Sequence, residues 1–275
     1  LKLETLNLKP TRITSRDNSL LRRTRAVRDG KAGDAIFVEG LRLCEEALAS
    51  NLQIEAVIYS EEIAGKDRAA ELIKKLNKSA AKSAVVSEKL LASISYTKTP
   101  QGIVVLAGRP AGDEQTFASH QAKTPLLVVL HATNNPVNVG AIMRTAEAAG
   151  VSGVITTVHT SDPFSPKALR GAMGSAFRLP VWAGADFDGV IEWCHARNVT
   201  TLCADGAGER LYTEVDWRKS IALIVGPESA GLSAAEIAVA GSSVRIPMQG
   251  QTESLNVAVA AGIILYEAAR QRMQK

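Results

Sequence analysis

Residues 125–158 read PLLVVLHATNNPVNVGAIMRTAEAAGVSGVITTV, and this stretch decides the fold. The runs PLLVVL (125–130) and GVITTV (153–158) are continuously apolar and rich in β-branched residues, as strands buried on both faces are. Between them a polar turn leads into an apolar helix over Val139–Ala149. Asn138 is the expected N-cap, and Gly150 suits the left-handed position after the last turn. Outward from here the alternation repeats. VTTLCA (199–204) and IALIVG (221–226) read as strands, stretches near 166–174 and 187–197 read as helices, and a helix over 255–272 closes the chain. Strands alternating with helices indicate a parallel sheet covered on each side.

The first third is organised in the same way. AIFVEG (35–40) runs into the helix LRLCEEALAS (41–50), and IEAVIYS (54–60) precedes a helix over 66–77 with Ala69, Leu72, Ile73 and Leu76 at three- and four-residue steps. AVVS (84–87), a short helix near 88–94 and GIVVLA (102–107) complete a compact unit. The polar stretch GRPAGDEQTFASHQAKTP, bounded by Pro and Gly, reads as a linker. The expectation is an α/β protein twice over: residues 1–108, a linker at 109–124, and residues 125–275.

Composition excludes several classes. Of 275 residues, 46% are hydrophobic and 22% charged, ordinary values for a globular chain. Aromatics are only 4%, so Ala, Val, Leu and Ile must fill the cores. No apolar run approaches the roughly 18 residues of a spanning helix. The N-terminal residues lack the charged head and apolar middle of a signal peptide. Cys44, Cys194 and Cys203 are odd in number and form no C-x-x-C pair, so reduced, half-buried thiols in a cytoplasmic protein are expected. His120, His131, His159 and His195 form no ligand cluster, and no metal site is expected.

Charge is unevenly spread. Residues 1–109 hold 19 Lys and Arg against 13 Asp and Glu, whereas residues 110–275 hold 13 against 15. Residues 1–31 alone carry nine basic and three acidic side chains, which accounts for the surplus of the whole first part. Arg12, Arg22, Arg23, Arg25, Arg28 and Lys31 are therefore candidate contacts to a polyanion, since neutralising phosphates releases condensed counterions. A solvated helix face is the alternative.

In an open parallel sheet, ligands bind beyond the carboxyl ends of the strands, and three loops there carry chemistry. In the first, Gly140 and Arg144 share a helix face, and an Arg on so apolar a helix calls for an anionic partner, unless it snorkels to solvent or pairs with Glu147. In the second, IALIVGPESAGLS brings bare glycine backbone and the Glu228 carboxylate to the sheet edge, where Glu228 could orient Arg144 or cap the helix starting near Ser233. Pro227 stands where a nucleophile elbow needs glycine, which excludes a serine hydrolase. In the third, VRIPMQGQTESLNVAVAAGIILYE, Ser254 is the expected N-cap of a long apolar helix with Asn256 in its first turn. No dinucleotide fingerprint or phosphate loop competes.

Taken in order, NNPVNVGAIMRTAEAAGV, LIVGPESAGLS and IPMQGQTESLNVAVAAGIILYE resemble the three signature motifs of the SpoU (TrmH-like) RNA ribose methyltransferases of the SPOUT class. FVEGLRLCEEAL (37–48) and TKTPQGIVVLA (97–107) are similar to phrases of that family's N-terminal, L30e-like RNA-binding domain. The resemblance implies a C-terminal parallel α/β sheet with a deep trefoil knot and a homodimer. It also implies S-adenosylmethionine held by Ala204, Gly226, Ile246, Met248 and Leu255, and an active site of Asn138, Arg144, Glu228, Ser254 and Asn256. Asn135 stands where many relatives carry an acidic residue, and another such position lies near His131.

The implied reaction is methyl transfer to a ribose 2′-hydroxyl, most simply of 23S ribosomal RNA and in some members conferring antibiotic resistance. Transfer RNA as substrate, a non-catalytic RNA binder, and a small-molecule or protein methyltransferase are the competing readings. A guanidinium is too weak an acid to lose its proton and serve as a proton acceptor at neutral pH, so Arg144 is expected to grip phosphate and stabilise the developing alkoxide rather than act as base.

Overall fold

The computed structural model describes residues 9–274, which fall into two compact units. The first takes in the chain up to Pro110 together with Phe164–Phe177; the second takes in Ala111–Pro163 and the chain from Arg178 onward.

The first unit opens with β1 (Thr11–Ile13), α1 (Ser19–Arg28), β2 (Ala35–Glu39), α2 (Leu41–Ala49) and β3 (Ile54–Ser60). It continues through α3 (Glu61–Ala64), α4 (Asp67–Ser79), β4 (Lys82–Val86), α5 (Glu88–Ile94) and β5 (Ile103–Gly108). Its sheet is mixed, in the order β1-β4-β3-β5-β2, with β1, β4 and β3 parallel and β5 antiparallel to both neighbours. Leu21 and Val27 of α1 and Leu91 and Ile94 of α5 pack with Phe37, Ile58 and Val104 from the strands. Burying side chains of this kind contributes about 1.5–3 kcal/mol each, which is why α1 turns its arginines outward. Asn18, Ser60 and Ser87 cap α1, α3 and α5 through their side chains. Gly40 links β2 to α2 at φ +98°, and a Cβ there would collide with the Gln101 side chain.

The second unit begins with α6 (Glu114–Ser119), β6 (Leu126–Leu130), α7 (Pro136–Ala148) and β7 (Gly153–Thr157). The chain then passes through α8 (Pro166–Ala172) and α9 (Ser175–Arg178), most of which groups with the first unit. It returns for β8 (Val181–Ala185), α10 (Phe187–Ala196), β9 (Thr200–Ala204) and β10 (Arg210–Leu211). A 3₁₀ turn at Tyr212–Glu214 leads to β11 (Ile221–Val225), α11 (Ala234–Ala240), β12 (Ser243–Arg245) and α12 (Val257–Met273). The seven strands pair only in parallel, in the order β10-β12-β9-β11-β6-β7-β8. From β6 the chain moves outward through β7 and β8, crosses to β9, and then inserts β11 between β9 and β6. The strand order therefore reverses around β11 and β6, and such reversals open a crevice at the carboxyl ends.

Several local expectations are corrected. Helix α7 starts at Pro136, and Asn135 is its cap, accepting a 3.0 Å bond from the Val137 N–H. Proline suits that first position because it has no N–H to satisfy; Asn138 is displaced into the first turn, where it is buried. Helix α12 starts at Val257 with Asn256, not Ser254, as its cap, through bonds of 2.9 and 3.4 Å from the N–H groups of Ala258 and Val259. The stretch read as a linker contains α6, whose Phe117 is 1% exposed and packs at 6.2 Å from the Trp182 ring and 5.7 Å from the Trp193 ring. The three cysteines are fully rather than half buried, and desolvation pushes the Cys194 and Cys203 thiols up to about 12. Among the described residues no helix is long and apolar enough to cross a membrane.

Candidate functional site

A cavity of about 840 Å³ lies at the carboxyl ends of β9, β11 and β12, within the second unit. Ala204 and Asp205 end the β9 wall, Val225 and Gly226 end β11, and Val244 and Ile246 continue from β12. Pro227 to Gly231 and Glu253 to Val257 supply the two loop walls, and Asn134, Asn135 and Asn138 enter from the β6–α7 loop. Ligand sites of this kind run to about 300–1,000 Å³, so the cavity suits a nucleoside-sized molecule. At Gly226 a Cβ would sit 2.8 Å from Leu232 Cγ and 3.1 Å from the Leu232 backbone nitrogen, so the wall needs bare backbone there.

The five residues expected to hold the cofactor (Ala204, Gly226, Ile246, Met248 and Leu255) all line this cavity, as do Asn138, Glu228, Ser254 and Asn256. A string of polar groups ties the three loops together. Glu228 accepts from the Asn138 Nδ2 at 3.1 Å and from the backbone N–H groups of Asn135 and Asn134 at 3.3 and 3.4 Å. Asn138 Oδ1 in turn accepts from Asn256 Nδ2 at 3.3 Å, and Asn256 Oδ1 caps α12. The carboxylate thus sits against the free N–H groups at the start of α7, where the helix dipole favours negative charge. Ser254 is exposed on the cavity wall and makes no hydrogen bond among those described.

Arg144 departs from expectation. It lies exposed on α7, does not line the cavity, and has no ion pair among the described residues. Glu228 does not orient it, because that carboxylate is taken up by Asn134, Asn135 and Asn138. Nor does Glu147, which pairs with Arg178 through Nη2 at 2.9 Å and through Nε. The anionic partner an apolar helix would demand is unnecessary because the guanidinium reaches solvent.

His131 is outside the cavity lining and ties neighbouring elements together. Its Nε2 meets Glu236 Oε1 at 2.9 Å and its Nδ1 meets Thr157 Oγ1 at 3.0 Å, joining the ends of β6 and β7 to α11. The Ser233 N–H, which Glu236 accepts in a capping box, holds the Glu236 carboxyl below its usual range, with His131 adding to the effect. Asn134, Asp205 and Glu253 are cavity residues that sequence reasoning missed. For Asp205 the signal was its place directly after a strand; for the other two no spacing marks them.

The basic candidates of the first unit divide into two groups. Arg12 pairs with Glu61, and Arg23 binds Glu55 at 2.7 Å and Asp34 at 2.9 Å. Arg28 pairs with Asp29 at 2.8 Å, and Arg25 donates to the Arg16 carbonyl at 2.8 Å. Arg22 and Lys31 are exposed without an ion pair among the described residues, and so is Arg16. Half of the apparent polyanion surface is therefore neutralised internally.

Comparison with known proteins identifies the family of the chain. Residues 125–266 match the model of the SpoU rRNA Methylase family, and residues 21–105 match an MRM3-like substrate binding domain. The chain is 31% identical over 263 residues to an uncharacterized tRNA/rRNA methyltransferase of Synechocystis, covering 94% of each protein. It is 33% identical over 236 residues to the 23S rRNA (guanosine(2553)-2'-O)-methyltransferase RlmP of Bacillus subtilis, covering 85% of this chain and 88% of that one. Among solved structures it is similar to the SpoU methyltransferase AviRb of Streptomyces viridochromogenes in complex with AdoMet. That match has a TM-score of 0.82 and 27% identity, and it covers 94% of this chain and 99% of that one. The chain belongs to the SpoU rRNA methylase family.

Proposed function

We propose that this protein transfers a methyl group from S-adenosylmethionine to a ribose 2′-hydroxyl of large-subunit ribosomal RNA. The observation that carries the reading is the single cavity into which all three motif loops converge, with Asn138, Glu228, Ser254 and Asn256 on its walls. Its residues fit the cofactor: apolar Val244, Ile246 and Leu255 suit an adenine, and Gly226, against which Leu232 packs, keeps the loop after β11 close beside them. We include in the proposal the deep trefoil knot that the resemblance to the SpoU family implies.

When bound, S-adenosylmethionine supplies an electrophilic methyl on a sulfonium. The chain's own contribution is positional, since in-line displacement gains chiefly from holding the reacting atoms collinear. Asn138 is fixed at both ends of its amide, by Glu228 and Asn256, so it cannot swing away from the cavity. Ser254 offers an unengaged hydroxyl to the ribose. Arg144 keeps its proton, grips a phosphate through its two-pronged donor edge and stabilises the developing alkoxide, while the hydroxyl proton leaves to phosphate or water.

Because Arg144 does not line the cavity of its own chain, we assign it to the site of a second copy in a homodimer. Exposed apolar side chains on the two helices beside it support this: Val137 on α7, and Val259 and Tyr266, 51% and 55% exposed, on α12. The test is methyl transfer from radiolabelled S-adenosylmethionine to deproteinised 23S and transfer RNA, with the modified position mapped. Incorporation into 23S RNA at a 2′-oxygen is expected. Labelling of transfer RNA alone would overturn the assignment of substrate, and absence of cofactor binding would overturn the reaction.

A further inference from the structure

The loop between α5 and β5, Ser95-Tyr-Thr-Lys-Thr-Pro-Gln101, is held from below by a buried carboxylate. Glu39, the last residue of β2, is 4% exposed. It accepts from the Tyr96 N–H at 3.0 Å, the Thr97 N–H at 3.3 Å, the Thr97 hydroxyl at 3.0 Å, and the Ser95 hydroxyl. From the other side Arg28 Nη1 donates to the carbonyls of Ser93 and Ser95, both at 3.2 Å, satisfying groups that the end of α5 leaves open. Burying a carboxylate is unfavourable unless its lone pairs are filled. An apolar side chain would serve the sheet core better, so what Glu39 secures is the conformation of the loop.

That loop nonetheless faces water. Tyr96 is 43% exposed, the only exposed large apolar side chain among the described residues of the first unit. Lys98 and Thr99 beside it are exposed, and Lys98 has no ion pair among the described residues. An aromatic ring on a fixed support, next to an unneutralised ammonium, matches the chemistry of an unpaired nucleotide. Single-stranded RNA is read by stacking splayed bases on aromatic rings, with nearby cations on the phosphates. Duplex RNA is gripped through phosphates and 2′-hydroxyls and has no use for an exposed ring. A ring carried on a backbone already fixed also avoids the entropy lost when a mobile loop orders on binding.

We propose that Tyr96 stacks on an unpaired base of the RNA substrate, and that Glu39 is the positioning residue that fixes the loop for it. The proposal rests on the ribosomal RNA methyltransferase reading above. The test uses the full-length chain and deproteinised large-subunit ribosomal RNA, measuring RNA affinity, S-adenosylmethionine affinity and methyl transfer. Tyr96→Ala is expected to weaken RNA binding about tenfold, in line with the loss of one base–aromatic stack, with cofactor affinity unchanged. Tyr96→Phe, which keeps the ring, recovers the binding.

Glu39→Gln is expected to weaken RNA binding as well, since its amide presents donors to the N–H groups of Tyr96 and Thr97. The double variant Glu39→Gln/Tyr96→Ala binds no more weakly than Tyr96→Ala alone, because a misplaced ring and an absent ring are equivalent. A merely structural Glu39 would instead give additive losses and overturn its positioning role. Should Glu39→Gln not fold, Thr97→Val removes one bond of the same cluster and takes its place. Undiminished RNA binding by Tyr96→Ala, in a preparation whose wild type methylates this RNA, overturns the stacking proposal and leaves the reaction standing. A wild type that binds the RNA but transfers no methyl overturns the reaction reading instead, while loss of that binding in Tyr96→Ala still supports the loop.

Discussion

Replacing Arg144 separates geometry from charge. The side chain is exposed on α7 with no ion pair among the described residues, and its neighbour Glu147 is already satisfied by Arg178. Neither Arg144→Ala nor Arg144→Lys strands a buried partner, and surface substitutions of this kind stay within about 0.5 kcal/mol. For a chain of this size that is a shift in Tm of less than about 2 °C. The cavity walls do not include Arg144, so S-adenosylmethionine affinity by calorimetry is expected to stay unchanged. Methyl transfer behaves differently: removing one preorganised donor to a developing oxyanion lowers kcat about 10²–10³-fold. Lysine keeps the charge but loses the planar fork that grips two oxygens at once, so Arg144→Lys is expected to fall almost as far as Arg144→Ala. The assay is single-turnover transfer at saturating cofactor and RNA, with Tm recorded on the same preparations. Near-normal turnover by the Lys variant would refute the bidentate role. Weakened cofactor binding in either variant would place Arg144 at the donor pocket rather than at the RNA.

Three further outcomes follow from particular contacts. Gly226→Ala places a methyl 2.8 Å from Leu232 Cγ and 3.1 Å from its backbone nitrogen, so cofactor affinity by calorimetry should drop at least tenfold, and an unchanged value contradicts the placement of the site. Neutralising Arg16, Arg22 and Lys31 together should flatten the dependence of RNA affinity on salt by about 0.7 per charge. Arg23→Gln should instead lower Tm, because it unpairs Glu55 and Asp34, and equal salt effects from both would refute the division into free and occupied arginines. In α12, Arg270 and then Gln271 hold the Glu267 carboxyl down to about 2 from its ordinary 4.5. A carboxyl depressed in the folded state stabilises above its unfolded value and loses that contribution as pH falls through the folded one. The Tm difference between wild type and Glu267→Gln should therefore be full above about pH 4.5 and vanish near pH 2, as thermal melts across that range would show.

The strands of the second unit were legible because burial on both faces leaves an uninterrupted apolar run: IALIV at 221–225 and LLVVL at 126–130 announce themselves. β8 did not, since VWAGA is only partly buried and broken by small residues, and neither did β12, which is three residues long. Helix starts were misplaced for a physical reason. Asn135, Asn138, Ser254 and Asn256 are all chemically able to cap, and only the tertiary position of each backbone decides which one does. The cavity residues were legible as motifs, but their linkage was not: that Glu228 would bind Asn138 and the start of α7 rather than Arg144 depends on distances across some ninety residues of chain. Likewise, a run of arginines shows charge, whereas the carboxylates that consume it, Glu55, Glu61 and Asp34, lie elsewhere in sequence.

The helical stretch 164–177 interrupts the catalytic sequence yet belongs with the N-terminal unit, where Ala168, Leu169 and Ala172 of α8 are buried and the helix packs against β2. Cutting the chain after Pro110 would therefore yield no self-sufficient halves, since one product would lack a helix that its sheet needs and the other would carry it with a greasy face uncovered. Chimaeras that exchange the first unit among relatives would have to transplant two separate stretches of chain, so neither unit can be inherited cleanly without a piece of the other.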